Sequence, residues 1–201
     1  MQPETVNETL VLPFPDPITA ATEFRSTWLT SSLEGLRHHG HFERYVKLLA
    51  SHREEILTSV AASWVPIAVA RAHYDACELL ALDADQIDAM ARAGGSVRRA
   101  WYATAIAGAQ RTPSMRTVLV QLQKFWLRSA NGGAVQVVET SEHSARLHYV
   151  GCELFDVAYF REALRVVLLL LFQHVHEDSS MTVHPFSATE LEFRLHWHER
   201  R

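Results

Sequence analysis

The run Val166 to Phe172 is apolar at every position. It lies inside a longer stretch, Leu154 to Val175, that reads as one helix. Glu153 and Asp156 suit the positive end of a helix dipole, with Asp156 as the N-cap. Arg161, Glu162 and Arg165 mark a wet face in its first half. Beyond them a helix that is apolar all round needs neighbours on every side. A bilayer span takes about 20 apolar residues, and this run is shorter, bracketed by Arg165 and Gln173-His174. The chain must therefore build a core helix, covered by a sheet on one side and by other helices or a second subunit on the other.

The flanking segments supply the sheet. Ala134 to Glu139 alternates with Val135 and Val137 on one face, and Ser144 to Val150 does so with Ala145, Leu147 and Tyr149. Thr140 to His143 turns between them, which makes a hairpin. After the helix come Met181 to Phe186 and Glu190 to His198. Leu191, Phe193, Leu195 and Trp197 face one way; Glu192, Arg194, His196 and His198 face the other. A one-residue slip of register would move every side chain to the wrong face. A two-residue loop at Ser187-Ala188 would set Val183 opposite Glu192, whereas a three-residue loop sets Met181, Val183 and Pro185 opposite Leu195, Phe193 and Leu191, and Pro185 then belongs on an edge strand.

The first part of the chain reads as helices. Met1 to Asp16 is an extended arm, because Pro13, Pro15 and Pro17 exclude a helix or a central strand. Ile18 to about Val60 holds two helices broken near Gly40, carrying Phe24, Trp28, Leu29, Leu33 and Leu36, then Tyr45, Leu48, Leu49, Ile56 and Val60 at helical spacing. Ser63-Trp64-Val65-Pro66 opens the next helix, with Ile67, Ala70, Tyr74, Cys77 and Ala81 on one face. A short helix spans Ala84 to Ala93 and closes at Gly94-Gly95. Further helices start at Ser96, carrying Trp101, and at Thr112-Pro113-Ser114, which runs through Phe125 and Trp126 to the stop at Asn131-Gly132-Gly133. The fold class is α+β. An arm (1–16) precedes a helical region (17–131) and a ββαββ unit (132–201) that shares one core with the helices.

With 201 residues the chain can bury a substantial core. A net charge of -4 argues against nucleic acid as a partner. Two cysteines without a CxxC pair fit a reducing, cytoplasmic setting, and the N-terminus lacks a basic-then-apolar leader. No acidic residue lies between Asp88 and Glu139, a basic stretch that follows the acidic Asp75, Glu78, Asp83, Asp85 and Asp88. A basic surface of this kind can meet an anionic ligand, nucleic acid or an acidic partner; more simply, the two stretches pair with each other or form solvated faces. Gly94-Gly95-Ser96 followed by Arg98 and Arg99 offers backbone N–H groups and guanidinium to an anion, although the spacing matches no phosphate-loop motif. Two histidine groups invite a metal, His38-His39-His41 and the wet-face set His148, His196 and His198. Neither has a completing thiolate or carboxylate, so no metal ligand is assigned.

The order of helices, strand pair, long helix and strand pair resembles an uncharacterised family of paralogues described in myxobacteria. That family carries a Leu-Glu-Gly-Leu-like start, here Leu33-Glu34-Gly35-Leu36, and ends in an amphipathic strand finishing at Trp, here Trp197. More distantly the layout is similar to heme-nitric-oxide-binding domains and 4-vinyl-reductase-type ligand domains. Both imply a small molecule held between helices and sheet, and the first implies heme. Of that family's Tyr-x-Ser-x-Arg element, Tyr149-Val150-Gly151-Cys152-Glu153 keeps only the tyrosine, so heme stays a candidate that the resemblance implies and no cofactor is assigned.

No nucleophile elbow, HExxH or phosphate loop occurs, so the chain reads as a non-catalytic ligand-binding or sensory module. Trp64, Tyr74, Trp101, Trp126 and Tyr149 are the candidate lining of an apolar pocket, although filling a core is the commoner role for each aromatic alone. The alternative is an interaction subunit, a homo-oligomer or protein-partner scaffold joined through the long helix or an edge strand.

Overall fold

The computed structural model of the chain describes residues 8–94 and 114–198. Strands β1 (Thr9–Leu12) and β2 (Glu23–Arg25) come first, followed by helices α1 (Ser26–His38), α2 (Phe42–Leu48) and α3 (Arg53–Leu57). Strand β3 (Trp64–Pro66) leads into α4 (Ile67–Glu78), and α5 (Ala84–Ala93) follows. Then come α6 (Met115–Leu119), α7 (Leu122–Ser129), β4 (Ala130–Asn131), β5 (Ala134–Ser141) and β6 (Ser144–Val150). A 3₁₀ turn (Glu153–Asp156), α8 (Ala158–Gln173), β7 (Ser180–Ser187) and β8 (Glu190–His196) complete the fold, which is α+β.

The main sheet is antiparallel in the order β1-β5-β6-β8-β7. Met181 faces Leu195, Val183 faces Phe193 and Pro185 faces Leu191, the register that the alternation demands. Pro185 sits on the outermost strand, where its missing N–H costs no ladder bond. Leu191, Phe193, Leu195, Ala145, Leu147 and Tyr149 all point into the core. The N-terminal arm is partly a strand, because β1 lies along the free edge of β5 with Leu10 beside Val138.

The long apolar run is covered on every side. Val166 to Phe172 are no more than 9% exposed, and α8 packs against α4, α5 and β7. The apolar surface expected to mediate a dimer through this helix is therefore consumed inside one chain. Its start also differs from expectation. Asp156 does not cap α8; it lies in the 3₁₀ turn and binds the Arg71 guanidinium at 3.1 Å. The carboxylate of Glu78, at the end of α4, instead accepts the Tyr159 backbone N–H at 2.6 Å. A carboxylate there satisfies an orphan donor and meets the positive end of the helix.

The segment from Ile18 to Val60 is more broken than its periodicity indicates. Glu23–Arg25 is a strand, and His52 in a left-handed conformation separates α2 from α3. Trp64–Pro66 is likewise strand rather than helix, and α4 begins only at Ile67, with Pro66 in the capping position. These short strands form a second sheet, β3-β2-β4, which drives Phe24 into the core opposite Val65 and Ala130. The helix from Ser114 is split at Val120-Gln121 into α6 and α7. Helix α5 follows its expected bounds and is fixed by a capping box between Asp83 and Gln86.

Helices α1 and α5 approach unusually closely because of two glycines. A Cβ at Gly35 would lie 2.7 Å from the Met90 carbonyl oxygen, and one at Gly94 would lie 2.5 Å from that of Ser31. The Gly35 of the Leu-Glu-Gly-Leu stretch is thus a packing requirement. This close approach sets the walls of the site described next.

Candidate functional site

Helix α4 carries the polar centre of the helical layer. His73, Tyr74 and Cys77 share its inward face, since residues three and four apart stack on one side of a helix, and all three are buried. The Tyr45 hydroxyl from α2 lies 2.7 Å from His73 Nδ1, and Cys77 Sγ lies 3.7 Å from His73 Nε2. Both imidazole nitrogens are therefore engaged. Burial lowers the His73 pKa to about 3, so the ring is neutral, with one nitrogen donating and the other accepting. Burial also pushes the Cys77 thiol and the Tyr45, Tyr74 and Tyr159 hydroxyls well above their usual ranges. None of these groups is poised as a nucleophile or base near neutral pH.

The network continues to the wall of a cavity. The Tyr159 hydroxyl pairs with both Ser32 and Cys77, and Ser32 and Tyr159 line a small, half-open recess of about 30 Å³ between α1, α4, α5 and α8. Trp28, Tyr74, Met90 and Ala163 are also in its wall. A second, larger groove of about 260 Å³ includes Cys77, Leu82 and Ile87 in its lining, with Glu78 and Glu162. Tyr159 contributes to the lining of both spaces.

The candidate lining residues are distributed unevenly. Tyr74 is at the cavity. Trp126 and Tyr149 lie nearer the sheet, in edge-to-face contact at 5.4 Å, with Phe155 against Trp126 at 5.5 Å. A ladder of rings continues from Phe155 to Phe160 at 6.2 Å and from Phe160 to Tyr74 at 4.8 Å. Trp126 and Tyr149 thus fill core space linked to the cavity but do not line it. Trp64 is 37% exposed on β3, beneath the Arg25 guanidinium at 3.8 Å. Trp101 and the anion candidates Ser96, Arg98 and Arg99 lie outside the described residues.

Trp28, Ser32, Met90 and Tyr159 were not singled out by sequence reasoning. One signal was available: Ser31 and Ser32 interrupt the apolar face of α1 beside Trp28. Small hydroxyls on a buried stripe mark either a polar partner or a gap.

Among the described residues, no three His, Cys, Asp or Glu side chains converge as metal ligands. His73, inside this layer, spends both ring nitrogens on Tyr45 and Cys77, and the stretch 95–113 carries one tyrosine, Tyr102, but no histidine, cysteine or methionine. No helix of the described residues is long and apolar enough to cross a membrane.

No known family profile matches the sequence, and no curated protein sequence matches it. Solved structures do share its fold. An unliganded Fe(II) H-NOX protein mutant from K. algicida superposes with a TM-score of 0.57 at 14% identity, over 87% of this chain and 97% of its own. A mutant of T. Tengcongensis H-NOX gives 0.53 at 10% identity, over 87% and 98%. An oxygen-binding H-NOX domain related to soluble guanylate cyclases gives 0.52 at 11% identity, over 87% and 95%. At these identities the likeness is one of fold: the helical layer and the sheet of this chain are arranged as in H-NOX domains.

Proposed function

We propose that this chain is a non-catalytic sensory module that binds a small molecule directly, between α1, α4, α5 and α8. The observation that carries this reading is the pair of hydroxyl- and aromatic-lined spaces that share Tyr159. Its two parts together approach the small end of ligand pockets, roughly 300 Å³. The same fold accommodates ligands in structures described as heme proteins and as an oxygen-binding domain. A ligand that spans the two spaces displaces the Tyr159 ring. Tyr159 stands in the first turn of α8, so its displacement is felt by the helix around which the core is packed. Burial keeps the His73 ring neutral and Cys77 a thiol near neutral pH, so neither is poised as a nucleophile or a charged acid toward the occupant.

The test uses phenol and indole as trial ligands, with Ala163→Phe as a variant that fills the space. Both trial ligands should raise the melting temperature of the native chain and leave that of the variant unchanged. Added hemin should produce no Soret band shift with either protein. Equal responses of native chain and variant, or stoichiometric hemin uptake, would overturn the reading.

A further inference from the structure

The outer face of the main sheet carries an arrangement that the helical cavity does not explain. Arg146 on β6 and Arg194 on β8 stand directly opposite each other across the ladder. Like charges in facing positions repel, so this pair needs anions. The first is Glu192, whose side chain is only 5% exposed. Its Oε1 accepts from Arg194 Nε at 2.9 Å, and its Oε2 lies 3.8 Å from Arg146 Nη1. One carboxylate between two guanidinium groups leaves a single positive charge uncompensated.

The second anion comes from the N-terminal arm. Glu8, just before β1, brings both carboxylate oxygens within 2.8 Å of Arg146 Nη2. It forms one wall of an open basin of about 250 Å³ whose other walls include Thr140, Arg194 and His196. The Arg194 side chain on its wall is 51% exposed, so the basin keeps donor groups beyond the one that Glu8 uses. The arm continues over the same face, with the Phe14 ring 5.5 Å from that of His148.

We propose that this basin is a binding site for an oxyanion, the carboxylate or phosphate group of a small ligand, and that Glu8 is its built-in stand-in. Arginine forks suit planar and tetrahedral oxyanions alike. A free anion and Glu8 compete for Arg146, so ligand binding and docking of the arm oppose each other. Linkage makes the opposition mutual: what loosens the arm strengthens the ligand, and the reverse. The site lies on the opposite face of the sheet from α8, and the proposal stands independently of the helical cavity.

The experiment titrates inorganic phosphate and succinate into the full chain and follows backbone amide shifts on β6 and β8. Glu8→Gln removes the competitor while leaving the β1 backbone free to pair. It should bind the probes about fivefold more tightly than the native chain, the scale of an exposed ion pair. Glu8→Gln combined with Arg146→Gln should lose the binding. In the native chain, saturating phosphate should speed amide exchange across Thr9–Leu12. Equal affinity in native and Glu8→Gln proteins would overturn the proposal. So would shifts that persist without Arg146, or exchange in β1 that phosphate leaves unchanged.

Discussion

His73 shows how one buried side chain sets a property of the whole fold. Its pKa falls from the ordinary 6.5 to about 3 because burial penalises the charged ring. The unfolded chain binds a proton at this position as pH drops below about 6.5, while the folded chain stays neutral until about 3. Between those values the unfolded state holds more protons, so stability falls as pH falls; above 6.5 the contribution is complete. We expect His73→Gln to lose less stability than the native chain between pH 7 and 5, by about 2 kcal/mol. Urea unfolding at the two pH values measures this, and parallel curves for the two proteins would contradict it. The sequence sets this histidine on a helix with one apolar face. Its partners were not legible: Tyr45 is 28 residues away and belongs to another helix. The same limit hid Ser32 and Tyr159, whose meaning depends on a cavity formed by α1, α4, α5 and α8 together.

Among the elements, the main sheet was the most legible, because period-two alternation with one greasy face permits a single register. The pairing of Met181, Val183 and Pro185 follows from that constraint alone. The short strands β2 and β3 were not legible. Each has only three residues and exists because the other, or β4, is there to pair with it. The start of α8 was misread for a related reason. A local acid, Asp156, looked like the cap, but the bond to Tyr159 N–H comes from Glu78, 81 residues earlier. Asp156 serves Arg71 instead, and Arg71 also binds Asp75 at 2.8 Å, tying α4 to the turn before α8. Glu78→Ala should therefore destabilise the chain by about 1 kcal/mol, the usual worth of an N-cap. That corresponds to a fall of about 2–4 °C in melting temperature for a chain of this size. Asp156→Asn, which weakens only an exposed ion pair, should cost less. Thermal melts followed by circular dichroism separate the two variants, and an effect of Asp156→Asn equal to or larger than that of Glu78→Ala would refute the assignment.

On the scale of the whole molecule, the helical region and the ββαββ unit share one hydrophobic core. Leu29 and Leu36 of α1 belong to the same buried cluster as Leu147 and Phe193 of the sheet. The aromatic ladder from Trp126 through Phe155 and Phe160 to Tyr74 crosses from the sheet side to the cavity. Helix α8 makes this union obligatory, since its apolar run has no exposed side that either half could leave bare without cost. Exposing that run would uncover several leucine side chains at about 1.5–3 kcal/mol each, which is comparable to the entire stability of an ordinary domain. Neither half can therefore unfold while the other persists. Denaturant unfolding of the intact chain should show one transition, with the same midpoint by far-ultraviolet circular dichroism and by tryptophan fluorescence. A fragment covering 132–198 should lack cooperative melting, because its α8 would lose α4 and α5. Two separated midpoints in the intact chain, or a fragment that melts cooperatively, would show that the sheet unit stands alone and that α8 does not join the two halves.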